Sequence, residues 1–61
     1  MLIRKIEQFL RRTEMSATRF SRLATRDPRF VFDLRRGREP RARMEQRVEH
    51  FMNTYRENSH A

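Results

Sequence analysis

Two prolines and one glycine are the strongest breaks in this chain, and all three lie near its middle. Pro28 disfavours helical geometry at Asp27 and suits the first position of a following helix, where its missing N–H costs nothing. Asp27 is then the expected N-cap, with its charge at the positive end of that helix. Gly37 stands where a helix needs a left-handed C-cap, and Pro40 precedes another helix. The spacing predicts a short helix over residues 28–36.

Apolar residues recur at helical spacing on both sides of this segment. They predict an amphipathic helix over about residues 2–12, and Ser16 is a good N-cap for a second over 17–25. A fourth helix is predicted over about 41–57. The expected inner face of the second helix consists of Ala17, Phe20, Leu23 and Ala24. The apolar stripe of the fourth consists of Met44, Val48, Phe51, Met52 and Tyr55.

These patterns together predict an all-α fold, a compact bundle of four helices in one domain over residues 1–57, followed by a flexible tail at 58–61. A chain of 61 residues buries only about 60% of its unfolded surface, so its core is small. It has no cysteine, which leaves tight helix packing or oligomerisation as sources of stability. No apolar run is long enough for a transmembrane helix, and the N-terminal stretch does not resemble a signal peptide. We therefore expect a cytoplasmic protein.

The charge of the chain is strongly positive. Fifteen basic residues against eight acidic ones give +7, and all but one of the basic residues are arginine. Codon bias in a GC-rich genome is one explanation, and binding to a polyanion is another, because arginine binds phosphate and guanine through two hydrogen bonds. A composition of 38% charged residues also occurs in disordered chains, but the regular apolar spacing argues against disorder.

Residues 20–51 resemble the helix-turn-helix of the phage-repressor (Cro) family of DNA-binding proteins. Ala24 matches the small residue at which that family packs its two helices closely, and Val31 and Leu34 match the paired apolar positions of its recognition helix. Gly37 and Pro40 match the Gly-x-x-Pro ending before the next helix. The chain departs from the family in its shorter link after Ala24 and in lacking the usual turn glycine. The resemblance implies a small bacterial or phage regulator of transcription that acts at the nucleoid.

The resemblance also implies a docking mode in which residues 28–36 enter the major groove. The residues that then fall on the exposed face of the recognition helix are Pro28, Arg29, Phe32 and Asp33. Arg29 is the best candidate for base contact, because arginine can bond guanine O6 and N7 together. Phe32 either touches a thymine methyl or packs on a partner subunit or on the fourth helix. Asp33 either accepts from cytosine N4 or orients Arg29 or Arg36 through an intrahelical pair.

A second set of residues is expected to contact the DNA backbone, which fixes register without reading sequence. Three lie on the outer face of the second helix, two in the turn, and five around the exit of the third helix and the start of the fourth. They are Thr18, Arg19, Arg22, Thr25, Arg26, Arg35, Arg36, Arg38, Arg41 and Arg43. Each of these arginines is alternatively a solvated surface residue.

A regulator this small is expected to bind DNA as a homodimer, with Leu2, Met52 and Tyr55 as candidate contacts between subunits. The alternative hypothesis is a protein-binding module, such as a basic adaptor or antitoxin-like subunit, whose arginines and Phe32 meet an acidic partner. RNA binding is less favoured because no cluster of exposed aromatic residues is evident. The sequence contains no set of residues typical of catalysis. His50 and His60 form no metal-ligand pattern, so neither an enzyme nor a cofactor is expected.

Overall fold

The computed structural model describes residues 1–55 and consists there of four helices without strands. They are α1 (Leu2–Thr13), α2 (Ala17–Thr25), α3 (Phe30–Arg35) and α4 (Ala42–Thr54). The all-α four-helix bundle predicted from the sequence is thus confirmed. The end of the predicted fourth helix and the predicted tail, residues 56–61, lie outside the described residues.

The helix ends agree with the predicted breaks to within a few residues. The Ser16 hydroxyl accepts a hydrogen bond from the Arg19 N–H at 3.0 Å, which makes Ser16 the N-cap of α2 as predicted. α3 begins at Phe30, two residues later than predicted, and α4 ends at Thr54 rather than near residue 57. α1 ends in a left-handed residue, Glu14, with a φ of 59°.

A cluster of four aromatic rings joins three of the helices. Phe9 of α1, Phe20 of α2 and Phe51 of α4 lie with ring centroids 5.4–6.1 Å apart, and Tyr55, directly after α4, lies 5.5 Å from Phe9. Edge-to-face contacts at such distances contribute about 0.5–1.5 kcal/mol beyond the area that they bury. We call these four residues the aromatic cluster; Phe20, which contacts Phe9 and Phe51, is fully buried.

The buried core around the cluster corrects two predictions. Leu23, predicted to lie on the inner face of α2, is 49% exposed. Ser21 and Thr25 are buried instead, because the inward stripe of α2 runs through positions 17, 20, 21, 24 and 25. Leu2, a predicted dimer contact, is buried in the core and is therefore not a surface for a partner.

Candidate nucleic-acid interface

Ser21 connects α2 to α3 through a single buried hydroxyl. Its Oγ donates to the carbonyl oxygen of Ala17 at 2.8 Å and accepts from the backbone N–H of Val31 at 3.1 Å. The first N–H groups of a helix have no partner within that helix, so a buried one needs an acceptor from elsewhere. Ser21 therefore caps the start of α3 from a different helix and fixes how α3 is rotated against α2.

Thr25 plays a similar part at the end of α2. Its hydroxyl donates to the carbonyl oxygen of Ser21 at 2.8 Å and accepts from the N–H of Asp27 at 3.1 Å, and the residue is buried. The structure thus differs from the prediction that Thr25 contacts a phosphate, because its hydroxyl is both enclosed and already bonded. We call Ser21 and Thr25 the hydroxyl joint.

The turn between α2 and α3 contains an arginine with a left-handed backbone conformation. Arg26 has a φ of 65° and a ψ of 13°, and its N–H bonds to the carbonyl oxygen of Arg22. Asp27 then accepts from the N–H of Arg29 through Oδ1 at 3.0 Å and from that of Phe30 through its carbonyl. Asp27 and Pro28 therefore belong to the turn that leads into α3. The prediction that Asp27 is the N-cap of α3 and Pro28 its first residue is therefore wrong.

The end of α3 has the predicted left-handed glycine. Gly37 has a φ of 106°, and its N–H bonds to the carbonyl oxygen of Leu34. The N–H of Arg38 reaches back to the carbonyl oxygen of Asp33 at 3.0 Å. These two bonds form a Schellman motif, which satisfies carbonyl groups that the helix leaves unpaired.

Arg38 also links α3 electrostatically to the turn that precedes it. Its Nη1 lies 3.1 Å from Asp33 Oδ2 and 3.8 Å from Asp27 Oδ2. The prediction that Asp33 pairs with Arg29 or Arg36 is therefore wrong in its partner. Arg38, predicted as a phosphate contact, is occupied by two carboxylates of its own chain.

Arg35 is likewise engaged within the molecule. Its Nε and Nη2 donate to the two carboxylate oxygens of Glu7 on α1, at 2.6 and 2.9 Å. These hydrogen bonds hold the pKa of the Glu7 carboxyl below its ordinary value and raise that of the Arg35 guanidinium. The two-point pairing leaves Arg35 less available for a phosphate than the sequence suggested.

Three of the four predicted base-contacting residues come together on the outward side of α3. Arg29, Phe32 and Asp33 line an open depression of about 450 Å³ together with Arg35 and Arg36. Phe32 is 45% exposed, while its neighbours Phe30 and Val31 are buried in the core. Pro28, the fourth predicted residue, is exposed in the turn but does not line this depression.

The remaining predicted phosphate contacts are at the surface. Within residues 1–55, six of the predicted arginines are exposed and form no ion pair with a described carboxylate, and the same is true of the base-contact candidate Arg29; Thr18 is half-buried. The six are Arg19, Arg22, Arg26, Arg36, Arg41 and Arg43.

The net positive charge of the chain lies in two segments, and one of them is α1, which holds four basic residues and one glutamate, a net charge of +3. Residues 16–38, which we call the α2–α3 unit, hold seven arginines and two aspartates, a net charge of +5. α4 holds two arginines and two glutamates and is neutral. The exposed Phe32 therefore lies in the segment with the larger of the two positive net charges, and charge of this sign attracts anions.

The described residues contain no helix long and apolar enough to cross a membrane and no group of three or more His, Asp or Glu side chains able to hold a metal ion. No family model, curated protein or solved structure matches the chain.

Proposed function

We propose that this protein binds double-stranded DNA sequence-specifically as a small transcriptional regulator, with α3 and the turn before it in the major groove. The observation that carries the proposal is the net charge of +5 on the α2–α3 unit, in which five of the seven arginines are exposed and form no ion pair with a carboxylate of the described chain. Phosphate attraction of this kind supplies most of the non-specific affinity of DNA-binding proteins.

Sequence readout in this proposal falls to the depression on α3. Arg29 has no carboxylate partner among the described residues and lies beside Phe32, so its guanidinium is available for guanine O6 and N7. The major groove is about 12 Å wide and admits an α-helix. Asp33, held by Arg38, contributes more to the shape of α3 than to base contact.

Backbone contact is assigned to the exposed arginines around this surface. Arg19 and Arg22 of α2 and Arg26 of the turn lie before α3 in the chain, while Arg36 and Arg41 lie after it. Two copies on a palindromic site, with half-sites about 34–36 Å apart, would add the affinity that one small unit lacks. Met52 and Tyr55, both half-buried against the core, are the remaining candidates for contact between the copies.

Selection of duplexes from a random pool, followed by titration at several salt concentrations, tests the proposal. Each phosphate contact is expected to add about 0.9 to the slope of log affinity against log salt concentration. Arg29→Ala should cost about 1–3 kcal/mol on the selected site and relax one base position. Arg22→Ala is the matched control, since it removes another exposed arginine and should weaken all duplexes alike. The absence of binding to any duplex at low salt would falsify the proposal.

A second candidate function is binding to an acidic protein. It is favoured by two half-exposed apolar side chains, Leu23 and Phe32, on the same basic unit of the fold. Aromatic residues and arginine are enriched at protein interfaces, and Phe32 lines its depression together with Arg29 and Arg36. Purification from cells distinguishes the two functions: nucleic acid that co-purifies until high salt is applied favours the first, and a stoichiometric acidic protein favours the second.

A further inference from the structure

Three side chains from two helices form a continuous contact beside the base-contacting depression. Glu7 of α1 receives both hydrogen bonds of the Arg35 fork, at 2.6 and 2.9 Å. The guanidinium carbon of Arg35 lies 5.6 Å from the ring centroid of Phe32. Phe32 in turn lines the depression with Arg29 and Asp33.

This contact restricts the position of an aromatic ring that is 45% exposed. Two parallel N–H···O bonds fix the plane of a guanidinium, whereas one bond would leave it free to swing. A fixed cation within about 6 Å of a ring centroid attracts that ring. The cation is Arg35, three residues after Phe32 on α3, and its guanidinium is in turn held by Glu7 of α1.

We propose that Glu7 is a positioning residue for base readout, which acts through Arg35 to hold Phe32 against the 5-methyl group of a thymine. The inference rests on the proposed DNA-binding function and adds to it a residue outside the α2–α3 unit and a defined chemical target. Thymine is the base whose major-groove edge presents a methyl group, and apolar side chains contact it there.

The pair between Glu7 and Arg35 has a close match elsewhere in the fold. Lys5 of α1 donates to Glu49 of α4 at 3.2 Å, and the side chains of Glu7 and Glu49 are 34% and 37% exposed. Glu7→Gln and Glu49→Gln therefore remove the same charge, with similar exposure, from two ion pairs between helices. Only the first pair contacts a residue of the depression.

The experiment uses the full chain and a duplex selected from a random pool, in which each thymine is replaced in turn by deoxyuridine. The replacement removes one methyl group and leaves base pairing intact. Loss of one buried methyl should weaken wild-type binding about fourfold at a single position. We call the affinity for the thymine duplex divided by that for the deoxyuridine duplex the thymine ratio. In Glu7→Gln the thymine ratio should fall to about one, while Glu49→Gln should keep the wild-type value. Both variants should bind every duplex somewhat more tightly, because each gains one unit of positive charge.

A second variant tests the geometry without changing the charge. Arg35→Lys keeps the cation but loses the two-point fork, so the thymine ratio should again fall to about one, with an unchanged salt slope. Circular dichroism of each variant verifies that the helices are retained.

The results that oppose the inference are distinct from those that oppose the proposed function. Glu7→Gln with the wild-type thymine ratio, or a wild-type protein that binds all deoxyuridine duplexes as tightly as the original, overturns the role of Glu7 while DNA binding stands. Failure of the wild-type protein to bind any duplex would contradict both the inference and the proposed function.

Discussion

α1 and α4 meet through aromatic rings, whereas α2 and α3 meet through hydroxyl groups. The aromatic cluster packs large apolar surfaces that tolerate small shifts, and its stabilisation scales with the area buried. The hydroxyl joint buries little area but has directional bonds, since the Val31 N–H must find the Ser21 oxygen at 3.1 Å. We expect the first arrangement to contribute more to stability, and the second, together with the buried side chains of α3, to set which side of α3 faces outward.

The largest effect is expected from truncation within the aromatic cluster. Phe20→Ala removes a fully buried ring that contacts Phe9 and Phe51. Such changes cost about 3–5 kcal/mol, which is as much as a core of this size supplies. Thermal unfolding followed by circular dichroism should lose its cooperative transition. Phe32→Ala, the same change at a half-exposed position, should alter stability by about 0.5 kcal/mol; equal losses in the two variants would contradict the assigned core.

A smaller loss is expected at the hydroxyl joint. Ser21→Ala leaves the buried Val31 N–H without an acceptor, which costs about 1–3 kcal/mol. Urea denaturation gives the loss, and faster hydrogen exchange at the Val31 amide locates it. Thr54→Ala is the control, because its exposed hydroxyl bonds only to carbonyl groups of its own helix. If the hydroxyl joint sets the orientation of α3, the folded Ser21→Ala protein should distinguish the selected duplex from other duplexes less well than wild type. Unfolding of part of the protein would instead weaken binding to all duplexes alike.

A substitution in the turn between α2 and α3 should increase the stability of the protein. Arg26 holds a left-handed backbone, which is unfavourable for any residue with a Cβ. Arg26→Gly should raise the free energy of unfolding by roughly 0.5–1 kcal/mol after the greater freedom of glycine in the unfolded chain is counted. Arg26→Ala removes the same charge and keeps the Cβ, so it should bring no such gain. A gain from alanine equal to that from glycine would assign the effect to charge.

The smallest effect concerns the ion pair between α1 and α3. The pKa of Glu7 is lowered in the folded protein from a usual value near 4.5, so the unfolded chain binds more protons in the acid range. The stabilisation is fully present above pH 4.5 and is lost as the pH falls through the lowered pKa. Because both side chains are partly exposed, it should amount to about 0.5 kcal/mol. The difference in stability between wild type and Glu7→Gln should shrink between pH 6 and 3; a difference that stays constant would contradict the assignment.

The helices were predictable because local residues begin and end them. Ser16 bonds the N–H of Arg19, and Gly37 takes the left-handed position after α3, both through interactions between near neighbours in sequence. Phe30, Val31 and Leu34 are buried as their spacing indicates. These features depend on short-range sterics and on amphipathic periodicity, which a sequence displays directly.

The parts of the candidate site that sequence did not reveal depend on distant partners. Glu7 and Arg35 are 28 positions apart, and Ser21 and Val31 are ten apart. Residue type alone does not predict that Ser21 and Thr25 are buried, because small hydroxyl residues are usually exposed. Residue type also predicts wrongly that Leu23 is buried, because leucine is usually found in the core. A strict i, i+3, i+4, i+7, i+8 pattern starting at Ala17 predicts Ser21 and Thr25 inside and Leu23 outside.

The six residues of α3 have a consequence for the order in which the molecule forms. Isolated helices of fewer than about 12 residues are marginal in water, because the first turn fixes several residues for a single hydrogen bond. The buried N–H of Val31 in α3 donates to the Ser21 hydroxyl of α2. A persistent α3 therefore requires α2 to be in place already. Among the four helices it should therefore be the last to form during folding and the first to open, and its outward surface exists only for as long as its neighbours hold it.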